Sequence, residues 1–191
     1  MRRTLLGFVA AAVLLAGTAL TAVGTASAAT AARTAPSAQA AQAARAAPHA
    51  RSWPLTWPVV KFGDKGNRVF AIQYLLRQVG YSVGPSGVFG GITRHDVAHF
   101  QRVRGLPGTG IVGSLTWPRL IVTVGFGSRG NAVAGVQQNL HFGYRYKGLP
   151  VTGFFGHITR GAVLSFQRRF HIGVDGVVGP VTWNTIIRNE K

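Results

Sequence analysis

The sequence predicts an all-α fold made of two tandem small three-helix domains, and three observations carry that expectation. One motif set occurs twice, the apolar residues within each copy recur at helical spacing, and Gly or Pro punctuates the periodic runs. Phe62-Gly63-Asp64-Lys65-Gly66-Asn67 recurs as Phe126-Gly127-Ser128-Arg129-Gly130-Asn131, and Gln73 and Leu76 recur as Gln137 and Leu140 at the same offset of 64. Gly80-Tyr81 matches Gly143-Tyr144 at an offset of 63, which implies one residue fewer at that helix end in the second copy. Gly87-Val88-Phe89-Gly90 and Gly153-Phe154-Phe155-Gly156, Phe100-Gln101-Arg102 and Phe166-Gln167-Arg168, and Thr116-Trp117 and Thr182-Trp183 then pair at an offset of 66.

Each copy reads as three helices. Val69, Ile72, Leu75, Leu76 and Val79 form one stripe, with Asn67 as N-cap and Gly80 as stop; Val133, Val136 and Leu140, with Phe142 as a further candidate, form the matching stripe after Asn131. The second helix is expected to follow Thr93 or Thr159 as cap, burying Val97, Phe100 and Val103 in one copy and Val163, Phe166 and Phe170 in the other. A short third helix covers residues 114–121 and 180–187, with Trp117, Leu120, Trp183 and Ile186 inward and Pro180 at a first helical position. Domains of this size lie near the lower limit for a core without staples, so the tryptophans are expected to contribute to the core first and to a ligand platform second.

The start of the chain has the pattern of an export signal. Arg2 and Arg3 precede an apolar run from Leu5 to Leu15, and Ala26-Ser27-Ala28 offers a cleavage site, so residues 1–28 are read as a signal peptide and 29–52 as an Ala/Pro-rich flexible leader. The folded part then comprises 53–121 and 122–191, with no stable membrane insertion expected after processing.

Charge narrows the chemistry. Of 191 residues, 21 are Lys or Arg and four are acids, giving a formal net charge of +17, and five of the arginines precede Trp53, so +12 belongs to the folded part. Asp64, Asp96, Asp175 and Glu190 offer no repeated carboxylate pair for a glycosidase, and no Gly-x-Ser-x-Gly elbow, Walker loop or dinucleotide loop occurs. His95-Asp96-Val97-Ala98-His99 places two histidines on one helical face, but the second copy has Gly161 and Ser165 there. Without cysteine there is no thiol chemistry. The chain is therefore expected to have no catalytic residues, no metal and no cofactor.

The Val-x-x-x-Gln-x-x-Leu helix, Gly-x-Phe-Gly-x-x-Thr turn, Val-x-x-Phe-Gln helix and Gly-x-x-Gly-x-x-Thr-Trp close together resemble the peptidoglycan-binding domain 1 family. The likeness covers about 60–121 and 124–187, and it implies a three-helix module that binds the bacterial wall. The chain departs from the family where Asp usually precedes the turn glycine: Ser86, Thr109 and Thr152 stand there, and only Asp175 is kept. The second copy is thus expected to be closer to the family's ordinary form.

For sugar and peptide contacts the candidates are Tyr81, Phe89, Gly90, Arg94 and Gln101 in the first copy and Tyr144, Phe155, Gly156, Arg160 and Gln167 in the second. Aromatic faces suit pyranose rings, guanidiniums suit carboxylates, and glycines let backbone approach a ligand; each type equally serves turns and core. The expected function is non-catalytic binding of peptidoglycan, and of anionic wall polymers, by a secreted, wall-associated protein whose duplication supplies avidity. The alternative is a secreted basic protein that binds an extracellular protein or another anionic polymer, or assists a separate wall hydrolase. Nucleic acid is not an expected partner, because the basic residues are scattered and the signal directs them out of the cytoplasm.

Overall fold

A computed structural model describes residues 55–189, so the segments read as an export signal, 1–28, and a leader, 29–52, lie outside the described residues. Six α-helices occur there: α1 Asn67–Gln78, α2 Gly91–Val103, α3 Trp117–Leu120, α4 Asn131–Gln138, α5 His157–Arg169 and α6 Pro180–Arg188. A π-helical turn, Asn139–Gly143, continues α4. Among the described residues the only β pairing is four isolated antiparallel bridges, two per copy: Val60 with Val112, Lys65 with Val88, Val124 with Val178, and Arg129 with Phe154.

The helix ends follow from local chemistry. Gly66 and Gly130 cap α1 and α4, and Gly90 and Gly156 cap α2 and α5, so Asn67 is the first helical residue rather than the cap. Thr93 and Thr159 are also not caps. They lie buried in the first turn with their hydroxyls bonded to Gln73 and Gln137. At the end of α1, Gly80 takes φ 98°, its N–H bonds Arg77 O, and the N–H of Tyr81 bonds Leu76 O, the paired bonds that close a helix through a left-handed residue.

The second copy ends its first helix differently. Tyr146 N–H bonds Leu140 O, and Arg145 holds φ 62°, so Arg145–Tyr146 is the backbone equivalent of Gly80–Tyr81. The offset is therefore 65 and the helix end contains one residue more, not one fewer; the surplus is accommodated as the π turn. Tyr144 nevertheless packs its ring on Phe166, as Tyr81 packs on Phe100.

Both copies bury most of what the stripes predicted, with Val79 and Phe170 partly buried and Val103 and Phe142 exposed at 66% and 59%. Trp117 and Trp183 are fully buried, and their indole N–H groups donate to Pro58 O and Val122 O, each at 2.8 Å. The buried apolar residues of both copies form one continuous cluster. α1 packs antiparallel on α4: Gln78 at the end of α1 accepts from Ala132 N–H at 3.0 Å, while Asn67 at its start lies against Gly143. Gly135 sits at the crossing, where a Cβ would come within 2.9 Å of Tyr74 Cβ, so only glycine permits this approach. Arg68 reaches across to Ile187 O at 2.8 Å and Arg188 O at 3.2 Å, placing a cation at the C-terminal end of α6. Asn184 donates to Thr56 O at 2.9 Å, which ties α6 to the approach to the first copy. The two copies are thus joined by side chains as well as by the linker.

Candidate functional site

Four loops of one design organise the two copies. The pattern is Ser, Thr or Asp, then Gly, two apolar residues, Gly and, three residues on, Thr: it begins at Ser86, Thr109, Thr152 and Asp175. In all four the first glycine holds a left-handed conformation, φ 69° to 73°, at Gly87, Gly110, Gly153 and Gly176. A buried glutamine amide braces each loop. Gln167 illustrates the set: its Nε2 donates to Asp175 Oδ1, Val177 O and Thr182 Oγ1 at 2.7, 2.9 and 3.2 Å, while its Oε1 accepts from the N–H groups of Asp175 and Gly176. Gln73, Gln101 and Gln137 make equivalent bonds to Gly87, Gly110 and Gly153.

The departures from aspartate keep the turn. Ser86, Thr109 and Thr152 hydroxyls accept the N–H two residues on at 3.2–3.3 Å, where the Asp175 carboxylate does so at 2.8 Å. The shorter, charge-assisted bond belongs to the second copy.

These bonds reassign several candidates. Gln101 and Gln167 are 2% and 1% exposed with both amide atoms engaged inside the protein, and Phe89 and Phe155 have no exposed surface, so none of the four presents a face to a ligand. An amide with one donor group and one acceptor suits a loop backbone as well as a ligand, and the Phe rings belong to the core. Gly90 and Gly156 have ordinary extended φ, −87° and −89°, and act as helix caps. Tyr144 is 8% exposed and donates to Ile186 O at 2.7 Å. Arg94 and Arg160 stay exposed, their stems lying over Gly110 and Gly176.

Tyr81 is half-buried, and its hydroxyl lies 2.9 Å from His99 Nδ1. Burial pushes its phenol above the ordinary value, the Asp96 carboxylate adds to this, and Arg104 and Arg102 oppose it. A raised acid pKa means that the unfolded chain loses this proton first. The group's contribution to stability is therefore complete below about pH 10 and declines as pH rises through that region. A 13Cζ NMR titration of Tyr81, assigned with Tyr81→Phe, should place its midpoint above that of free tyrosine; a midpoint at or below it would contradict the burial account. His95 pairs instead with the adjacent Asp96 at 3.2 Å, so the two histidines of the helical motif engage different partners. Among the described residues no group of three or more His, Cys, Asp or Glu gathers for a metal.

An open groove of about 790 Å³ in the second copy was not foreseen. Phe142 and Gly143 of the π turn, Tyr144, Arg145, Arg169 at the end of α5, and Phe170 line it, with Asn189 at its edge. Phe142 is 59% exposed, Tyr144 and Phe170 meet edge to face at 5.5 Å, and the Arg169 guanidinium lies 5.7 Å from the Phe170 ring centre. Apolar ring faces beside guanidiniums can stack a sugar ring and hold a carboxylate. His141 Nδ1 anchors the following loop to Leu149 O at 2.7 Å, a bond that requires the proton on that nitrogen. The sequence signal was the irregular length after Leu140, together with the loss of the left-handed glycine at Arg145.

Comparison with known proteins gives the following likenesses. A probable N-acetylmuramoyl-L-alanine amidase of Bacillus licheniformis is 28% identical over 152 residues, covering 65% of this chain and 43% of that protein. An uncharacterized protein in the bpoA1 3' region of Kitasatospora aureofaciens is 43% identical over 54 residues, 28% of this chain and 46% of that protein. The chain thus spans less than half the length of these curated relatives. A crystal structure of a peptidoglycan-binding protein from Clostridioides difficile in complex with glutamine hydroxamate matches with a TM-score of 0.33 and 40% identity, over 33% of this chain and 40% of that one. The family model described as "Putative peptidoglycan binding domain" matches twice, at residues 65–120 and 129–186, the two segments that carry the braced loops, and the chain belongs to that family.

Proposed function

We propose that the chain is an exported, non-catalytic protein that holds bacterial cell-wall peptidoglycan through its two family domains, 53–121 and 122–191. The observation that carries this is the family match in both copies, each with its pair of glutamine-braced loops. The described acids support the non-catalytic part, because each is engaged in a local bond: Asp64 accepts Lys61 N–H, Asp96 pairs with His95, and Asp175 holds its turn and Gln167. The likeness to an amidase covers 43% of that protein. Wall polymers are anionic, and a folded part with +12 formal charge is attracted to them in a salt-sensitive way. Among the described residues no helix is long and apolar enough to cross a membrane.

The test is sedimentation of the purified protein with whole cell-wall sacculi, followed by assay of the supernatant for new reducing ends and free amino groups. The protein should pellet and release neither. Failure to pellet at both low and moderate salt would end the wall-binding reading, and release of either product would end the non-catalytic one.

A further inference from the structure

We propose that the groove beside the π turn is a binding site for a carboxylate-bearing saccharide of the muramyl-peptide type, and that this site belongs to the second copy alone. The proposal rests on the wall-binding reading and gives it a location and a chemistry.

The argument begins with the extra residue after α4. Accommodating it as a π turn puts Phe142 on the surface and sends the chain through Arg145 in a left-handed conformation, where the first copy has Gly80. Phe142, exposed on the π turn, supplies a ring face for the apolar side of a pyranose, while half-buried Phe170, packed on Phe166 at 4.6 Å and met edge-on by Tyr144, adds apolar lining; Tyr144 is fixed by its bond to Ile186 O. Arg145 and Arg169 place two guanidiniums on the same groove. A guanidinium fork matches a carboxylate, and a sugar lacking one would leave that part of the groove unused. The ligand class that satisfies both surfaces is an N-acetylated sugar bearing a carboxylate through its ether or peptide substituent.

The first copy keeps a tyrosine, Tyr81, in the role of Tyr144 but has different residues at the other four positions. Gln78 stands where Phe142 is, and its side-chain oxygen is committed to Ala132 N–H on α4. Gly80 stands for Arg145, Val103 for Arg169, and Arg104 for Phe170. The equivalent surface therefore lacks both the stacking face and the arrangement of guanidiniums, and the corresponding helix end is used to hold the second copy. On this account the two copies differ at this one site, and the first copy's equivalent helix end serves the joint between them.

The experiment is a titration of the full chain with N-acetylmuramyl dipeptide, and separately with di-N-acetylchitobiose, which has the sugar but no carboxylate, read by amide NMR shifts. The dipeptide should perturb Phe142, Arg145 and Phe170, and the chitobiose should bind more weakly. Phe142→Ala and Arg169→Gln should each weaken dipeptide binding by roughly tenfold or more, while Arg104→Gln in the first copy should leave it within about twofold. Both groove side chains are exposed, so unchanged thermal unfolding of the variants will show that the fold is intact. Unaltered dipeptide binding in the Phe142→Ala, Arg169→Gln double variant would overturn the site. Equal perturbation around Tyr81 and Arg104 would overturn its restriction to the second copy. If the native protein still pellets with sacculi while the groove stays silent, the location falls and the wall-binding reading stands; if it does neither, both fall.

Discussion

Replacing Gln167 by alanine should lower the unfolding free energy by about 2–5 kcal/mol, although the residue is polar. Its amide meets Asp175 N–H, Gly176 N–H, Val177 O, Thr182 Oγ1 and Asp175 Oδ1. Gly176 and Thr182 are buried, so water cannot readily replace the lost partner, and each buried group left unpaired costs roughly 1–3 kcal/mol. Gln167→Glu should fare little better. The three bonds from Nε2 all end on oxygen, and a carboxylate there would face Asp175 with no proton to donate. Denaturant midpoints measure both. A loss below about 1 kcal/mol for Gln167→Ala would mean that the brace is incidental to the fold.

Trp183→Ala should cost about 3–5 kcal/mol, the range for removing a fully buried aromatic side chain from a core. The indole holds the linker through Val122 O, and its ring lies against the α4 segment at Gly135 where α1 crosses, so its removal loosens the copy and the joint together. Trp183→Phe should cost less, because most of the apolar volume remains and the principal loss is the bond to Val122 O. Equilibrium unfolding followed by tryptophan fluorescence or circular dichroism gives the values. A ligand platform would behave in the opposite way, with binding lost and stability nearly unchanged in Trp183→Ala; that pattern would contradict the core assignment.

The fold was legible because its main determinants are periodic. Val69, Ile72, Leu75 and Leu76 lie on one face of a helix by spacing alone, and the same stripe occurs again from Val133. Val103 broke the pattern because it is the last residue of α2, where the stripe has already turned away from the core. The caps were harder. Asn67 and Thr93 have the chemistry of caps, but Gly66, directly before Asn67, and Gly90, three residues before Thr93, took the position, and the Thr93 hydroxyl was already claimed by Gln73.

The candidate site was less legible, for a physical reason. Glutamine, threonine and glycine at fixed spacing have the same appearance whether they bind a ligand or a loop, and only the coordinates show the Gln101 and Gln167 amides turned inward. The groove depends on one extra residue after Leu140, and aligning Gly143-Tyr144 with Gly80-Tyr81 concealed it. Identity pointed to one alignment, whereas hydrogen bonding from Tyr146 to Leu140 fixes another.

The most direct test of the central claim separates recognition of sugar and peptide from simple attraction of a basic protein. It is sedimentation with purified peptidoglycan stripped of teichoic polymers, at a salt concentration that screens exposed charge. The account predicts that the protein remains in the pellet, with affinity reduced from that for whole walls. Complete release into the supernatant under those conditions, with retention on unstripped walls, would show that charge alone held it and would contradict the claim.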